Sequence, residues 1–297
     1  MALAALMALS LAACRFEGGS ESSSGGGSGG GNGSVGLSIS TLNNPFFVSL
    51  SEGAKAKASE AGVDLIVVDA RDDTAKQTND IDDLISKKIS VLIVNPVDSD
   101  AVAPAVKDAI SAGIKVVSVD RVVNGVDVDC AIASDNVLVA QKATEYLLEL
   151  AGEGAKVAEL EGVPGASATI DRGVGSHNVA DDHLDVVSKQ TANFNRSEGM
   201  TVMENMLQAN PGITGVFALN DEMALGAVEA ISGKDIVVVS FDAADDALTA
   251  VEAGRMAATV AQKPDLMGAT AVETAMKLIA GESVGKNILV KVELVTK

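Results

Sequence analysis

Short β-branched runs alternate with longer amphipathic stretches from residue 35 to the end of the chain, and few folds accommodate that rhythm. The apolar runs cover 35–41, 64–70, 91–96, 115–120, 130–135, 156–162, 184–190, 215–220, 236–242, 257–262 and 289–295. Most are continuous rather than alternating, as parallel strands covered on both faces require. Between them, spacing near 3.6 residues predicts helices over 46–61, 75–88, 100–112, 137–151 and 196–209. Gly62, Gly113, Gly152 and Gly254 stand where helices should stop. Repeated βα units make a parallel sheet. Two segments, 113–121 and 233–242, each run from glycine through a β-branched strand to an aspartate, Asp120 and Asp242. The expected fold class is therefore α/β, with two similar doubly wound parallel-sheet lobes and a ligand cleft between them.

The first 34 residues stand apart from this pattern. Residues 1–13 are a short Ala/Leu-rich run ending Leu11-Ala12-Ala13-Cys14. The run is too short for a permanent membrane span, which needs about 20 apolar residues. Small residues before a cysteine resemble a bacterial lipobox, so residues 1–14 are expected to be a lipoprotein signal peptide with Cys14 as the lipidated residue. No Lys or Arg precedes the run, a departure from the usual pattern. Residues 15–34 contain fifteen Gly or Ser out of twenty, the composition of a flexible linker. Cys130 has no disulfide partner if Cys14 carries lipid, and sits in the apolar run Cys130-Ala-Ile-Ala as a small hydrophobe.

The remaining 263 residues suit two lobes. A net charge of −19, with Lys and Arg scattered, excludes a nucleic-acid partner, which needs a basic patch. The chain has six Phe, one Tyr and no Trp, so each aromatic calls for a reason. Phe46 and Phe47 stand together after Ser40-Thr-Leu-Asn-Asn-Pro45. Locally they read as core residues at a helix start. Polar residues, however, gather at or just past the carboxyl ends of the expected strands: Ser40, Asn44, Asn95, Asp120, Arg121, Asn220, Asp221, Asp242 and Gln262. Open α/β sheets bind ligands at that edge. Helix capping accounts for single Asp or Asn residues, and Asp135 and Asp221 both fit an N-cap. Capping does not account for a neighbouring Arg, Gln or Phe.

Seven stretches resemble the sugar-binding proteins of ABC importers, the type I periplasmic binding proteins, and among them the ribose-binding members. They are Ser40–Phe47, Asn95–Val102, Val119-Asp120-Arg121, Ile132–Asn136, Asn220–Ala227, Phe241-Asp242 and Ala258–Gln262. The resemblance covers 35–297 and implies a hinge crossed three times. On that reading residues 35–134 and 263–291 form the N-terminal lobe, and 135–262 and 292–297 the C-terminal lobe. It also implies that the sugar is held by Ser40, Asn44, Phe46, Phe47, Asp120, Arg121, Arg172, Phe194, Asn220, Phe241, Asp242 and Gln262. Aromatic faces would cover the C–H faces of a pyranose, and carboxylates, guanidinium groups and amides would meet its hydroxyls. D-ribose is the expected ligand, with allose as the alternative. The absence of Trp weighs against the glucose and galactose binders, which the resemblance suggests use Trp. Expected partners are a monosaccharide and an ABC permease, or a chemoreceptor or kinase if the protein is a sensor. The lipid would be its only membrane contact, the cell surface or periplasm its location, and the monomer its state. Two departures stand out: Ala243 where glycine is common, and an acidic 173–185 lacking the usual aromatic.

Two other function classes fit less well. An enzyme would need catalytic motifs. Neither His177 nor His183 lies in one, both being assigned to a solvated stretch, and no phosphate loop or nucleophile elbow is present. The arginines near Asp120 and Asp242 are expected to favour their ionised forms. No metal or cofactor is implied. A sugar-responsive repressor shares the fold but needs a DNA-binding segment in place of the leader and tether.

Overall fold

The computed structural model describes residues 33–297. The apolar leader, Cys14 and residues 15–32 of the expected tether lie outside the described residues. Two six-stranded sheets organise the rest. The first contains β1 (Val35–Ile39), β2 (Leu65–Asp69), β3 (Val91–Val94), β4 (Lys115–Val119), β5 (Cys130–Ala133) and β11 (Asn287–Leu289), in the order β11-β5-β4-β3-β1-β2. The second contains β6 (Lys156–Glu161), β7 (Asp185–Thr191), β8 (Gly215–Ala218), β9 (Val237–Asp242), β10 (Ala258–Ala261) and β12 (Glu293–Thr296), in the order β12-β10-β9-β8-β6-β7. The orders match position for position. The similar segments noted in the sequence are β4 and β9, and they occupy the same place in their sheets.

All pairings are parallel except β10 with β12. The apolar run 289–295, read as one strand, is two. Its start pairs with β5 in the first sheet and its end runs antiparallel to β10 in the second. An apolar run carries no mark of which sheet edge will accept it, so length alone reads it as continuous. The chain passes between the sheets after β5, after β10 and again between β11 and β12.

Helices cover both faces of each sheet, which is why the strands are uninterrupted apolar runs. They are α1 (Pro45–Ala61), α2 (Thr74–Ser86), α3 (Ala103–Ser111), α4 (Asn136–Ala151), α5 (Ser167–His183), α6 (Arg196–Ala209), α7 (Asp221–Ile231), α8 (Asp245–Glu252) and α9 (Pro264–Ile279). In the first lobe one face buries Leu37, Ile93 and Val117 against α1 and α9, and the other buries Leu92 and Val116 against α2 and α3. The second lobe packs around Leu160, Phe217, Val239 and Phe241. Cys130 is buried and free. The acidic stretch after Arg172 forms the body of α5 and buries Gly173, Gly175, Ser176 and Val179. His177 is half-buried rather than solvated: its Nε2 lies 3.0 Å from the buried Glu159, while Nδ1 meets the exposed Asp181.

Helix α9 follows the second sheet in sequence but packs on α1 of the first lobe, and the two backbones meet closely. A Cβ on Gly268 would stand 2.0 Å from the Leu50 carbonyl oxygen, and one on Gly53 would stand 2.1 Å from that of Asp265. Replacing Gly268 by Val should therefore force the helices apart and cost about 1–3 kcal/mol. Urea unfolding of the variant against the parent measures this.

Candidate functional site

The carboxyl ends of both sheets point to one cavity between the lobes. It is lined by Asn44, Phe46, Phe47, Asp120 and Arg121 from the first lobe and by Ala168, Arg172, Phe194, Asn220 and Asp242 from the second. Nine of these ten are residues expected from the sequence; Ala168 is the addition. The free space among them is small, ≈ 20 Å³, so these side chains pack close to one another. Two larger cavities flank it. One of ≈ 430 Å³ shares Asn44, Phe46 and Asp242 and adds Gln262. One of ≈ 290 Å³ shares Asn44, Phe47, Arg121 and Phe194.

Each lining residue has a local reason for its place. Asn44 ends the turn before α1, where its Oδ1 accepts from Phe46 N at 2.9 Å. That cap orients Phe46 and Phe47, whose rings meet edge to face at 5.2 Å. Asn220 does the same for α7, with Oδ1 accepting from Met223 N at 3.0 Å. Both amides thus commit an oxygen to a helix, and the Asn220 amino group reaches Phe194 O at 3.5 Å. The N-cap of α7 is Asn220, not Asp221 as the sequence pattern allowed; Asp221 lies inside the helix and is fully buried. Asp135 is the N-cap of α4. Asp120, Phe194 and Asp242 stand on left-handed backbone, with φ of 64°, 57° and 121°. Such strain persists only where surrounding structure fixes it, and it collects at functional sites.

Both arginines are buried and aimed. Arg121 Nη1 donates to Pro96 O at 2.7 Å, and its guanidinium lies 5.0 Å from the Phe47 ring centre and 5.5 Å from that of Phe194. Its Nε is buried with no hydrogen-bond partner. Arg172 donates from Nε to Asn136 Oδ1 at 2.9 Å and from Nη1 to Leu219 O at 2.6 Å, over the Phe241 ring at 4.7 Å. Asp120 and Asp242 stand 3.7 Å and 3.9 Å from these arginines. At those distances the pairs are electrostatic contacts rather than tight bidentate bridges.

Three expected residues sit outside the innermost cavity. Phe241 is wholly buried as the shelf under Arg172. Gln262 links Ser134 to Asp242: Ser134 Oγ donates to its Oε1 at 2.8 Å, and its Nε2 donates to Asp242 Oδ1 at 2.9 Å. Ser40 is buried behind the wall. Its amide donates to Asn95 Oδ1 at 3.1 Å, and its hydroxyl has no partner. Sequence reasoning placed Asn95 at the strand-end edge without giving it a role, and it passed over Gln77. Asn95 Nδ2 reaches Val119 O at 3.1 Å and Asp120 Oδ2 at 3.4 Å, and Gln77 holds Asn95 O and Val97 N. Asn95 and Asn136 lie in the matched motifs, which was the available signal; Gln77 carried none.

Burial outweighs the arginines. It pushes the Asp120 and Asp242 carboxyls above their ordinary range, Asp242 well above it, against the pull of Arg121 and Arg172. The expectation that the arginines would favour ionisation is therefore reversed in net direction, because removing water from a carboxylate costs more than a guanidinium near 4 Å returns. Arg121 is lowered by the same burial. Behind them Asp221 is pushed up to about 7, by burial first, against hydrogen bonds from Ser240, Thr259 and the Ala244 amide.

Other chains carry the same architecture. A profile of the periplasmic binding protein domain matches residues 35–283. The chain belongs to the periplasmic binding protein family. It is 51% identical over 265 residues to the ribose import binding protein RbsB of Bacillus subtilis, covering 89% of this chain and 87% of that one. An ABC transporter solute binding protein from Mycobacterium smegmatis with bound glycerol superposes with a TM-score of 0.86 at 35% identity, covering 90% and 94% of the two chains. One from Actinobacillus succinogenes with bound D-allose gives a TM-score of 0.81 at 32% identity, covering 89% and 97%. The family members it matches are import binding proteins, not enzymes.

The raised carboxyls have a consequence for stability. The folded chain keeps protons on Asp242 and Asp221 at a pH where the unfolded chain, with aspartates near 3.8, has released them. Unfolding free energy from Asp221 therefore falls as pH rises from that value through about 7, and Asp242 acts in the same direction. Urea unfolding at pH 5.5 and at pH 8 should show lower stability at pH 8, and Asp221→Asn should flatten the difference.

Proposed function

We propose that this protein is the extracytoplasmic substrate-binding subunit of an ABC importer and that it captures D-ribose by closing its two lobes. The observation that carries this reading is the buried set of two aspartates, two arginines and capped asparagines between three phenylalanines. Flat apolar rings suit the C–H faces of a sugar ring, and the charged groups suit hydroxyls that both donate and accept. Charge-assisted bonds to buried groups are strong because the alternative is an unpaired charge. Arg121 Nε, 3.7 Å from Asp120 Oδ2 and without a hydrogen bond, can donate to a sugar hydroxyl. The 51% identity to a ribose import binding protein favours ribose over other sugars.

Closure has its own contacts. Ser99 N donates to Gly165 O at 3.0 Å, Ser167 N to Ser99 Oγ at 3.2 Å, and Val122 N to Ser167 Oγ at 3.0 Å. These bonds join the segment after β3 and the loop after β4 to the start of α5, so they join one lobe to the other. Opening at the three crossings would break them and expose the cavity; a sugar would hold the lobes together. The closed form would be what a permease recognises. No helix among the described residues is long and apolar enough to cross a membrane. Attachment is assigned to a lipid on Cys14. Labelling with a fatty-acid analogue in a bacterial host should mark the protein and fail to mark Cys14→Ser.

Titration calorimetry with D-ribose, D-allose and D-galactose tests the ligand. One-to-one binding of ribose, with Arg172→Ala or Asp120→Ala weaker by about 2–5 kcal/mol, is the expected result. Binding of allose with no heat from ribose would move the specificity and keep the site. Undiminished ribose affinity in both variants would reject the site.

A further inference from the structure

Asp221 is fully buried, does not line the innermost cavity and is not the helix cap. Such a carboxylate needs an account, since burying it is costly unless its oxygens are satisfied. They are satisfied by donors from three separate places. Ser240 on β9 and Thr259 on β10 both donate to Oδ1, the latter at 2.7 Å. The Ala244 amide donates to Oδ2 at 2.8 Å. Thr259 Oγ1 in turn accepts the Ala243 amide at 3.1 Å. Both amides that follow Asp242 are thus held by this carboxylate, one directly and one through a single hydroxyl.

The segment they hold is strained. Asp242 has φ of 121° and Ala243 has φ of 55°, conformations that side chains with a Cβ rarely adopt. Nothing in the local sequence favours that turn, since Ala stands where glycine would be at ease. The charged neighbours of Asp221 are Glu222 on its own helix, paired to Arg196, and Asp242, which faces Arg172. None of these makes a hydrogen bond to its carboxylate, so its contacts are with the turn and the two strands that flank it.

We propose that Asp221 is a positioning residue: it locks residues 242–244 in the strained conformation that aims Asp242 into the sugar cavity. The helix α7 anchors the carboxylate, and the turn after β9 takes its shape from it. The proposal rests on the ribose reading for its binding arm only.

Two measurements on the protein test it. Hydrogen exchange in the sugar-free protein reads the Ala243 and Ala244 amides directly, and calorimetry with D-ribose reads the consequence. Asp221→Ala should speed exchange at both amides and weaken ribose binding roughly tenfold or more, since buried donors lose their acceptor. Exchange in β1 to β4 should not change. Asp221→Asn keeps an acceptor for Ala244 and an amino group that can donate to the two hydroxyls, so it should restore most of both properties. Thr259→Val should free the Ala243 amide alone, and it carries the test if Asp221→Ala does not fold. Unchanged exchange at Ala243 and Ala244 in Asp221→Ala, or in Thr259→Val at Ala243, would overturn the proposal. So would faster exchange with ribose affinity equal to the parent. A parent protein that binds no ribose would defeat the ligand assignment and leave the exchange arm standing.

Discussion

Two arginines and two aspartates are buried together where the lobes meet, and much of the molecule is arranged around the cost of that burial. Desolvation works against all four charges, and the ion pairs, at 3.7 and 3.9 Å, do not offset it alone. The remainder comes from fixed donors and acceptors: carbonyls of Pro96 and Leu219 for the guanidinium groups, the amides of Asn95 and Gln262 for the carboxylates, and aromatic faces under both arginines. A site of this kind is stable only when its polar partners are complete. Each lobe supplies these partners to its own pair, and the Phe194 ring of the second lobe under Arg121 of the first is the contact that crosses between them.

The fold supplies this convergence through chain direction. Parallel strands present all their carboxyl ends at one edge of a sheet, and two sheets with matching strand order present two such edges to one cleft. β4 and β9, third in their sheets, each end in an aspartate on left-handed backbone. The two halves differ in how they hold that aspartate. Asp120 is followed by Arg121 and backed by Asn95, whereas Asp242 meets Arg172 from a helix and is backed by Gln262. Gln262 also holds Ser134, so the first two crossings meet in one hydrogen-bonded chain that ends on the Asp242 carboxylate. Hinge and cavity are therefore not separate parts.

Stability and function oppose each other at these positions. Carboxyls pushed upward by burial favour the protonated fold, yet the ionised form is the better acceptor for hydroxyls. The strained backbone at Asp242 and Ala243 adds to that cost. Close helix packing elsewhere, such as α1 on α9 through Gly53 and Gly268, supplies compensating burial far from the site.

The sequence by itself determined the α/β class, the positions of nearly all strands, and nine of the ten side chains around the innermost cavity. Strand runs and strand-end residues are local patterns; Arg172 and Phe194, on a helix and in a loop, were named only through the resemblance to the family. What it missed is non-local. The run 289–295 read as one strand because pairing partners are not written in an apolar stretch. His177 read as solvated because its place on α5 does not show that Glu159 of β6 lies against it. The supporting places of Phe241, beneath Arg172, and of Ser40, whose amide donates to Asn95, were likewise not legible in the sequence. The arginines read as ionising the aspartates because spacing shows a neighbouring charge and not the loss of water. Asp221 read as a cap, since Asp at a helix start is the commonest reason for that residue. Only the tertiary structure brings Ser240, Thr259 and Ala244 around it, because that meeting depends on the register of β9 against β10 and on where α7 begins.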